Sequence, residues 1–376
     1  MQKAKTIIIA ALSVRAFVAD AVAAGYEVIA MDAFADADTQ KIAKQTIIVK
    51  QANGHFDTTD FLQNLAKVDC ADSVGFFYGS GFEGNATLLE LIAKQRPIFG
   101  NLAQTVAQIK HPPDFFKTLG LLDIPYPEIC FNKLKNASGW LLKRGGGSGG
   151  MHIEFALQDV ALKKDEYFQC EVAATPLSLL FLANRKSAQV IGCNLQLIEA
   201  TAVNPYRFAG TVSHYPLNVA VTAQLIDYAN RLTKHYALVG LNSLDVMVLD
   251  DNSLVLEINP RLSASFGLYQ SVGAYLIDLH WQACTAEVDL SDFNSLPKIA
   301  QKPKGQRIFY APFDINLDDK IVWPEWVVDI PMPHTVIEKD APVCTVQAVG
   351  TDSNQVIELL VTRIEYLRIL FTAAVI

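Results

Sequence analysis

Residues 241–261 read Leu-Asn-Ser-Leu-Asp-Val-Met-Val-Leu-Asp-Asp-Asn-Ser-Leu-Val-Leu-Glu-Ile-Asn-Pro-Arg, and the reading of this stretch decides the fold. Two apolar runs, 244–249 and 254–258, flank Asp250-Asp251-Asn252-Ser253, whose short polar side chains favour a turn. The pattern predicts a β-hairpin. Pairing about a centre between residues 251 and 252 sets Asp245 roughly opposite Ile258, so Asp245, Glu257 and Asn259 gather at one end of the ladder. Residues 257 and 259 share a face because strand side chains alternate. Two carboxylates and a carboxamide make an all-oxygen donor set, which suits Mg²⁺ (or Mn²⁺) rather than Zn²⁺. Pro260 stops the ladder, and Arg261 follows as a fixed cation beside the metal. Solvated acids on an exposed hairpin are the commoner meaning of such residues. The apolar surroundings of Glu257 and Asn259 argue against it, since unpaired polar groups are costly there.

A chain of 376 residues is too long for one ordinary core and predicts two or three domains. With 51% hydrophobic and 19% charged residues it is globular. A net charge of −8 without a basic stripe excludes a nucleic-acid footprint. The six cysteines are scattered without a Cys-x-x-Cys pair and read as reduced, mostly buried residues of a cytoplasmic protein. The seven histidines form no His-x-x-x-His pair, which disfavours a zinc site. The N-terminal apolar run, Thr6 to Val14, is short and followed by Arg15 and Asp20, so it reads as a first strand and not a signal peptide. No apolar stretch approaches the roughly 18 residues needed to span a bilayer.

From the N-terminus, strand 6–11, helix 14–24 ending at Gly25, and strand 27–31 form a β-α-β unit, which predicts a parallel sheet. A dinucleotide fold would then take Asp32 for the ribose. The first turn, Ile9 to Ser13, has no glycine, however, so backbone cannot approach a pyrophosphate, and Asp32 reads as a cap. Strands at 46–49 and 73–78 and a helix at 58–67 continue the unit, and Gly79-Ser80-Gly81-Phe82-Glu83-Gly84 makes a ligand edge or a turn needing positive φ. The first domain is expected to end near residue 105. A helix follows over 114–121, then an extended link, 124–127. Gly139-Trp-Leu-Leu-Lys143-Arg144 reads as a strand running into Gly145-Gly146-Gly147-Ser148-Gly149-Gly150, a mobile flap whose bare amides can wrap phosphate oxygens. The lysine precedes the glycines, so this is no Walker A loop.

Strands are read at 167–171, 177–183, 189–192 and 194–199, then a helix over 218–236 punctuated by Gly240. A polar turn, 262–267, and a helix, 269–283, follow the hairpin. Beyond a linker at 295–305, short strands at 308–311, 326–330 and 343–349 and a helix at 355–373 read as a small α+β appendage.

The parts amount to a lysine strand, a glycine flap and a carboxylate hairpin, with no hydroxyl–His–Asp nucleophile, which is a design for phosphoryl transfer by positioning and charge neutralisation. Lys143-Arg-Gly-Gly-Gly-Ser-Gly-Gly followed by Asp245 and Glu257-Ile-Asn259-Pro-Arg261 resembles the ATP-grasp ligase superfamily, and the spacing of the two acids resembles its biotin carboxylase branch. The resemblance implies an α/β and α+β multidomain chain. A Rossmann-like pre-ATP-grasp domain would cover 1–105 and a two-lobed ATP-grasp core 106–288, with a small lobe at about 125–190 and a flap at 144–151. A small α+β C-terminal domain would take 289–376.

The same resemblance implies roles. Lys143 contacts the α- and β-phosphates, Gly145 to Gly150 close over the triphosphate, and Asp245, Glu257 and Asn259 hold magnesium. Arg261 stabilises the acyl phosphate or the substrate carboxylate, and backbone near Cys170, Glu171 and Val172, after Gln169, reads adenine. Lys110 is the second nucleotide lysine, with Lys117 as its competitor. Tyr78 to Glu83, Asn194-Leu-Gln196 and Phe208-Ala-Gly210 resemble an ATP-grasp group of methanogens and methylotrophs that use methanopterin-type C1 carriers. The implied activity is an ATP-dependent carboxylate–amine ligase acting through an acyl phosphate on small molecules, possible in C1-cofactor (methanopterin or methanofuran) biosynthesis. A carboxylase activating bicarbonate and a non-catalytic nucleotide-binding regulator are the alternatives. Oligomeric state stays open, a homodimer being unsurprising.

Overall fold

The computed structural model describes residues 5–52, 54–68, 73–269, 275–285 and 302–373. Its N-terminal sheet contains β1 (Thr6–Ala11), β2 (Glu27–Asp32), β3 (Gln45–Ile48), β6 (Ser73–Tyr78) and β7 (Ile98–Phe99), in the order β3-β2-β1-β6-β7 and all parallel. Every residue of β1 is buried, as a central parallel strand covered on both faces requires. Helices α1 (Arg15–Ala23), α2 (Ala37–Ile42), α3 (Thr58–Ala66) and α4 (Ala86–Ala93) flank the sheet, and a small hairpin pairs β4 (Gln51–Ala52) with β5 (His55–Phe56). Asp32 is a cap, as expected: its carboxylate accepts the N–H groups of Val14 (2.9 Å), Phe34 and Ala35. An acid so committed and fully buried is not presented to a ribose.

Helix α5 (Ala103–Lys110) runs straight across residue 105, and α6 (Pro112–Leu121) begins two residues earlier than expected, with proline at its first turn. A four-stranded antiparallel sheet follows: β8 (Ile129–Cys130), β9 (Trp140–Arg144), β10 (Ile153–Phe155) and β11 (Glu166–Cys170), in the order β10-β9-β11-β8.

The largest sheet has the order β16-β15-β12-β13-β14-β17-β21-β19. Its strands are β12 (Thr175–Asn184), β13 (Ala188–Ile198), β14 (Phe208–Val212), β15 (Val239–Leu249), β16 (Asn252–Asn259), β17 (Lys304–Tyr310), β19 (Val327–Val328) and β21 (Pro342–Val349). Alternation along β12 covers both faces. Leu177, Leu179 and Phe181 pack with α6 and α7 (Val219–Tyr236), whereas Leu180 and Leu182 pack with α1 and α8 (Leu276–Thr285). β13 spans the strand region read at 189–192 and 194–199. β17, β19 and β21, read as parts of an appendage, continue the sheet, and α9 (Ser353–Ala373) closes over β17 and β21. A further pair, β18 (Ile315–Asn316) with β20 (Val336–Ile337), lies beside them. Lys304, read as linker, is already in β17, and residues 286–301, which include the expected boundary at 289, lie outside the described residues. No helix among the described residues is long and apolar enough to cross a membrane. Of the cysteines described, only Cys344 is buried and the other four are half-buried, so burial is less general than expected.

Two helix ends differ from the sequence reading. α7 is stopped by Ala237 in the left-handed region (φ 50°), not by Gly240. α8 begins at Leu276, and Tyr269, expected inside that helix, is extended after a 3-10 turn at Ala264–Leu268, with 270–274 outside the described residues. Gly240 is needed for another reason, because a Cβ there would lie 2.5 Å from Cε1 of His280. The buried His280 accepts the Leu241 N–H at Nδ1 (2.8 Å) and donates from Nε2 to the Phe99 carbonyl (3.0 Å), tying the two large sheets together.

Burial pushes the His280 imidazole down to about 4, and its bond to Phe99 only partly opposes this. The unfolded chain therefore binds a proton below about pH 6.5 that the folded chain refuses until near pH 4. Stability is full above the unfolded value and is lost as the pH falls through this window, by on the order of 3 kcal/mol. Denaturant titrations from pH 7 to 4 are expected to show this loss, and His280→Gln to flatten it by about one proton. An unchanged slope in the variant removes His280 from the account.

Candidate functional site

The hairpin turn is tighter than the sequence reading has it. Leu249 pairs with Asn252 across Asp250-Asp251, and Asp250 takes φ 52°, a conformation Asp tolerates. Uninterrupted, that register would place Asp245 opposite Leu256, with Glu257 facing away. A bulge between Asp245 and Val246 skips Leu256 and sets Asp245 opposite Glu257, not Ile258. Asn259, paired with Ser243, then donates from Nδ2 to Asp245 Oδ2 (3.1 Å) and Glu257 Oε1 (3.3 Å). The three oxygen-bearing side chains do converge.

Three cations converge on them. Lys110, the last residue of α5, donates to Glu257 Oε2 (3.1 Å) and Asn259 Oδ1 (2.9 Å) with its side chain 5% exposed. Lys117 lies exposed on α6, so position favours Lys110. Lys143 on β9 is buried and donates to Gln169 Oε1 (3.4 Å). Burial pushes its ammonium down against the pull of Glu257 and Asp245. Arg261 reaches Asn259 Oδ1 (3.4 Å) and is held from behind by Glu83, whose Oε1 accepts its Nε–H at 2.5 Å. Glu83 Oε2 meanwhile accepts the N–H groups of Gly81 (2.9 Å) and Phe82 (3.1 Å). Burial alone would raise the Glu83 carboxyl, but Arg261 and Lys110 hold it below the usual range. The glycine turn, read as a ligand edge or a turn needing positive φ, takes φ 107° at Gly81, borders the cavity at Ser80 and aims Arg261 through Glu83.

Burial and the facing charge of Glu257 push Asp245 up to about 7, while Lys110, His152 and Lys143 outweigh burial at Glu257 and hold it at about 2. Asp245 is left short of positive charge, which fits a divalent cation beside it. Among the described residues no three of His, Cys, Asp and Glu gather to hold a metal, and the oxygen donors that meet here are the two carboxylates and the Asn259 carboxamide. Mg²⁺ is ordinarily held this way, by one or two carboxylates with phosphate oxygens completing the shell.

The glycine flap is docked. Gly145 N–H donates to Asp165 O (2.9 Å), and Gly149 O accepts Phe208 N–H (2.9 Å). A Cβ on Gly150 would sit 1.8 Å from the Tyr206 carbonyl oxygen, and one on Gly147 2.1 Å from Cγ of His152, so close packing demands these glycines. The segment expected to read adenine is partly engaged in the sheet. Cys170 N–H donates to Glu128 O and Glu171 N–H to Gly139 O, each at 2.8 Å, and the Glu171 carboxylate accepts the Tyr206 hydroxyl. Those two N–H groups are already committed, while Gln169 and Val172 of the same segment line the cavity together with Ala173 and Ala174.

One cavity of about 530 Å³ joins these parts. Lys143, Ser148, Gly149, Gly150, Gln169 and Val172 line it together with Asp245, Glu257, Asn259 and Arg261. Lys110, Gly145, Gly146, Gly147, Cys170 and Glu171 stand behind its wall. At its far end the β1–α1 turn, the 262–265 turn and the C-terminal strands enclose Ser13, Arg15, Gln196, Thr211, Gln306 and Asp329, with Arg15 Nε donating to Asp329 Oδ1 at 2.7 Å. The sequence reading missed two site residues. Glu83 carried a signal, an acid within a glycine turn, whereas His152 was legible only as the second residue after the flap.

Residues 114–265 match a family model described as an ATP-grasp domain. Over 262 residues, 67% of this chain, the sequence is 21% identical to an uncharacterized protein of Methanocaldococcus jannaschii, and that match spans 63% of the relative's length. Among solved structures, biotin carboxylase of Campylobacter jejuni superposes with TM-score 0.69 at 14% identity, covering 94% of this chain and 89% of that one. N5-carboxyaminoimidazole synthetase of Staphylococcus aureus, complexed with ADP, gives 0.64 at 16%, covering 96% and 97%. The biotin carboxylase domain of Hydrogenobacter thermophilus 2-oxoglutarate carboxylase, solved with MgADP, ADP and bicarbonate, gives 0.67 at 11%, covering 93% and 87%. The architecture is the ATP-grasp fold.

Replacing Glu83 by Gln keeps an acceptor for the two amides but strips the charge that faces Arg261. Breaking a buried pair from one side costs about 3–5 kcal/mol. Denaturant unfolding is expected to show a loss of this order for Glu83→Gln and substantial recovery when Arg261→Met is added. A single-variant loss below about 1 kcal/mol would mean that the pair is solvated and that Arg261 is aimed by something else.

Proposed function

We propose that this chain, with its ATP-grasp domain at 114–265, is an ATP-dependent carboxylate–amine ligase that works through an acyl phosphate. The observation that carries the reading is the convergence of Lys110, Lys143 and Arg261 on the bulge-aligned Asp245, Glu257 and Asn259 beneath a glycine flap. Lys143 and the Ser148–Gly150 amides bind the triphosphate, and Val172 to Ala174 present backbone to the base. Asp245, Glu257 and Asn259 hold Mg²⁺ (or Mn²⁺), which when bound neutralises phosphate charge and polarises the transferred phosphoryl group. Arg261, immobilised by Glu83, stabilises negative charge on the acceptor carboxylate as it takes the phosphoryl group. The amine then attacks the acyl carbon, the amide forms and phosphate leaves. The docked flap keeps water from the acyl phosphate.

The far end of the cavity takes the small-molecule acid and amine. The narrower proposal of a role in C1-carrier biosynthesis draws on the resemblance carried by Tyr78 to Glu83, Asn194-Leu-Gln196 and Phe208-Ala-Gly210. We place the enzyme in the cytoplasm, where ATP is available, and a homodimer is compatible with the reading. A second reading, activation of bicarbonate, draws on the carboxylase neighbours.

Phosphate release from Mg-ATP, assayed with paired acids and amines and with bicarbonate alone, separates the two readings. An amide of matching mass from one pair establishes the ligase, and bicarbonate-dependent release in place of it establishes the carboxylase. Glu257→Gln is expected to lower turnover at least about 10³-fold with the fold retained but less stable, because Lys110 loses its ion pair, and chelation of Mg²⁺ to abolish turnover. Near-normal turnover in Glu257→Gln sinks the metal assignment.

A further inference from the structure

His152 borders the cavity with the Ser148 backbone close to its ring, yet its Nδ1 is shut away from solvent and makes no hydrogen bond of good geometry. Buried polar atoms in native structures are nearly always paired, so a partnerless one beside a cavity points to a partner that arrives from outside. The ring is fixed in place. It stands one residue ahead of β10, whose Ile153 pairs with Lys143, and the flap lies directly on it at Gly147. Its charged neighbours are Glu257, Lys143 and Lys110. His152 therefore stands between the underside of the flap and the metal-binding carboxylates, where the reading above puts the end of the triphosphate.

We propose that His152 is a binding contact for the terminal phosphoryl group of ATP, its Nδ1–H donating to a phosphoryl oxygen, and that this bond lets the site distinguish ATP from ADP. The inference rests on the ATP-binding reading and adds to it a residue that senses the transferable group. A bond to that oxygen also ties the flap, through Gly147, to the presence of the third phosphate, so the loop is braced only when there is a group to transfer. Two other roles fit less well. An imidazole is a poor ligand for the hard cation that this oxygen set suits. A ring whose burial pushes it down to about 4 is a weak base at neutral pH.

The test is binding of the non-hydrolysable β,γ-imido analogue of ATP and of ADP, each with Mg²⁺, measured calorimetrically on the full chain. His152→Ala is expected to weaken the imido analogue roughly ten- to a hundredfold, as loss of a charged hydrogen bond does, and ADP by less than about threefold. His152→Asn, whose amide nitrogen reaches the Nδ1 position, is expected to recover most of the loss, and His152→Gln, which mimics Nε2, to recover little. Equal weakening of both nucleotides, or of neither, overturns the proposal and leaves His152 as packing for the flap. Failure of the unmutated chain to bind either nucleotide overturns the ATP reading itself, and this inference with it. Should the Ala variant not fold, the contrast between Asn and Gln decides alone.

Discussion

Asp245 and Glu257 face each other, half-buried, in the wall of the cavity, and the rest of the structure answers that constraint. Like charges at such a distance in low dielectric are unfavourable, and burial adds to the cost. The chain answers with Lys110 from α5, Lys143 from β9 and Arg261 from the end of the hairpin, each from a different element. The proposed binding of a metal nucleotide draws on the same electrostatics: the carboxylates would receive the cation and the surrounding lysines and arginine the phosphates.

Holding Arg261 at that point is the work of the N-terminal sheet. Asn101 donates to the Pro260 carbonyl (3.0 Å) and to Asn242 Oδ1 (2.8 Å), while its own Oδ1 accepts the Val239 N–H (3.0 Å). Tyr78 hydroxyl donates to Asn101 O (2.6 Å), and the next loop supplies Glu83. These buried polar groups are satisfied by one another, which fixes the residue pair Pro260-Arg261 more tightly than apolar packing alone could. With His280 bridging Leu241 and Phe99, the first sheet is a structural brace for the site as well as a wall of its cavity.

The closed arrangement of the flap has a similar origin. Tyr206 and Phe208 lie at the start of β14, in the sheet that the C-terminal strands extend, and they grip Gly149, Gly150 and Glu171. Next to them Arg207 lies between Glu199 (2.8 Å) and Asp340 (3.3 Å) and over the Tyr310 ring. The last strands therefore support the nucleotide end of the cavity as well as its far end.

The sequence by itself determined the parallel N-terminal unit, the cap at Asp32, the hairpin, the lysine strand and the glycine flap, because each is a local pattern of period, turn chemistry or charge. It also named Asp245, Glu257, Asn259 and Arg261, since polar residues inside an apolar run announce themselves. Tertiary structure decided what depends on partners distant in sequence. The bulge at Leu256 is set by how β15 fits between β12 and β16, and it put Asp245 opposite Glu257 where simple counting gave Ile258. Glu83 is 178 residues from the arginine it aims, and Lys110 is 147 from the carboxylate it meets. The strands after residue 303 look like a separate piece because their prolines and short runs resemble one, yet their ladder partner is β14, a pairing between distant strands that no local pattern encodes.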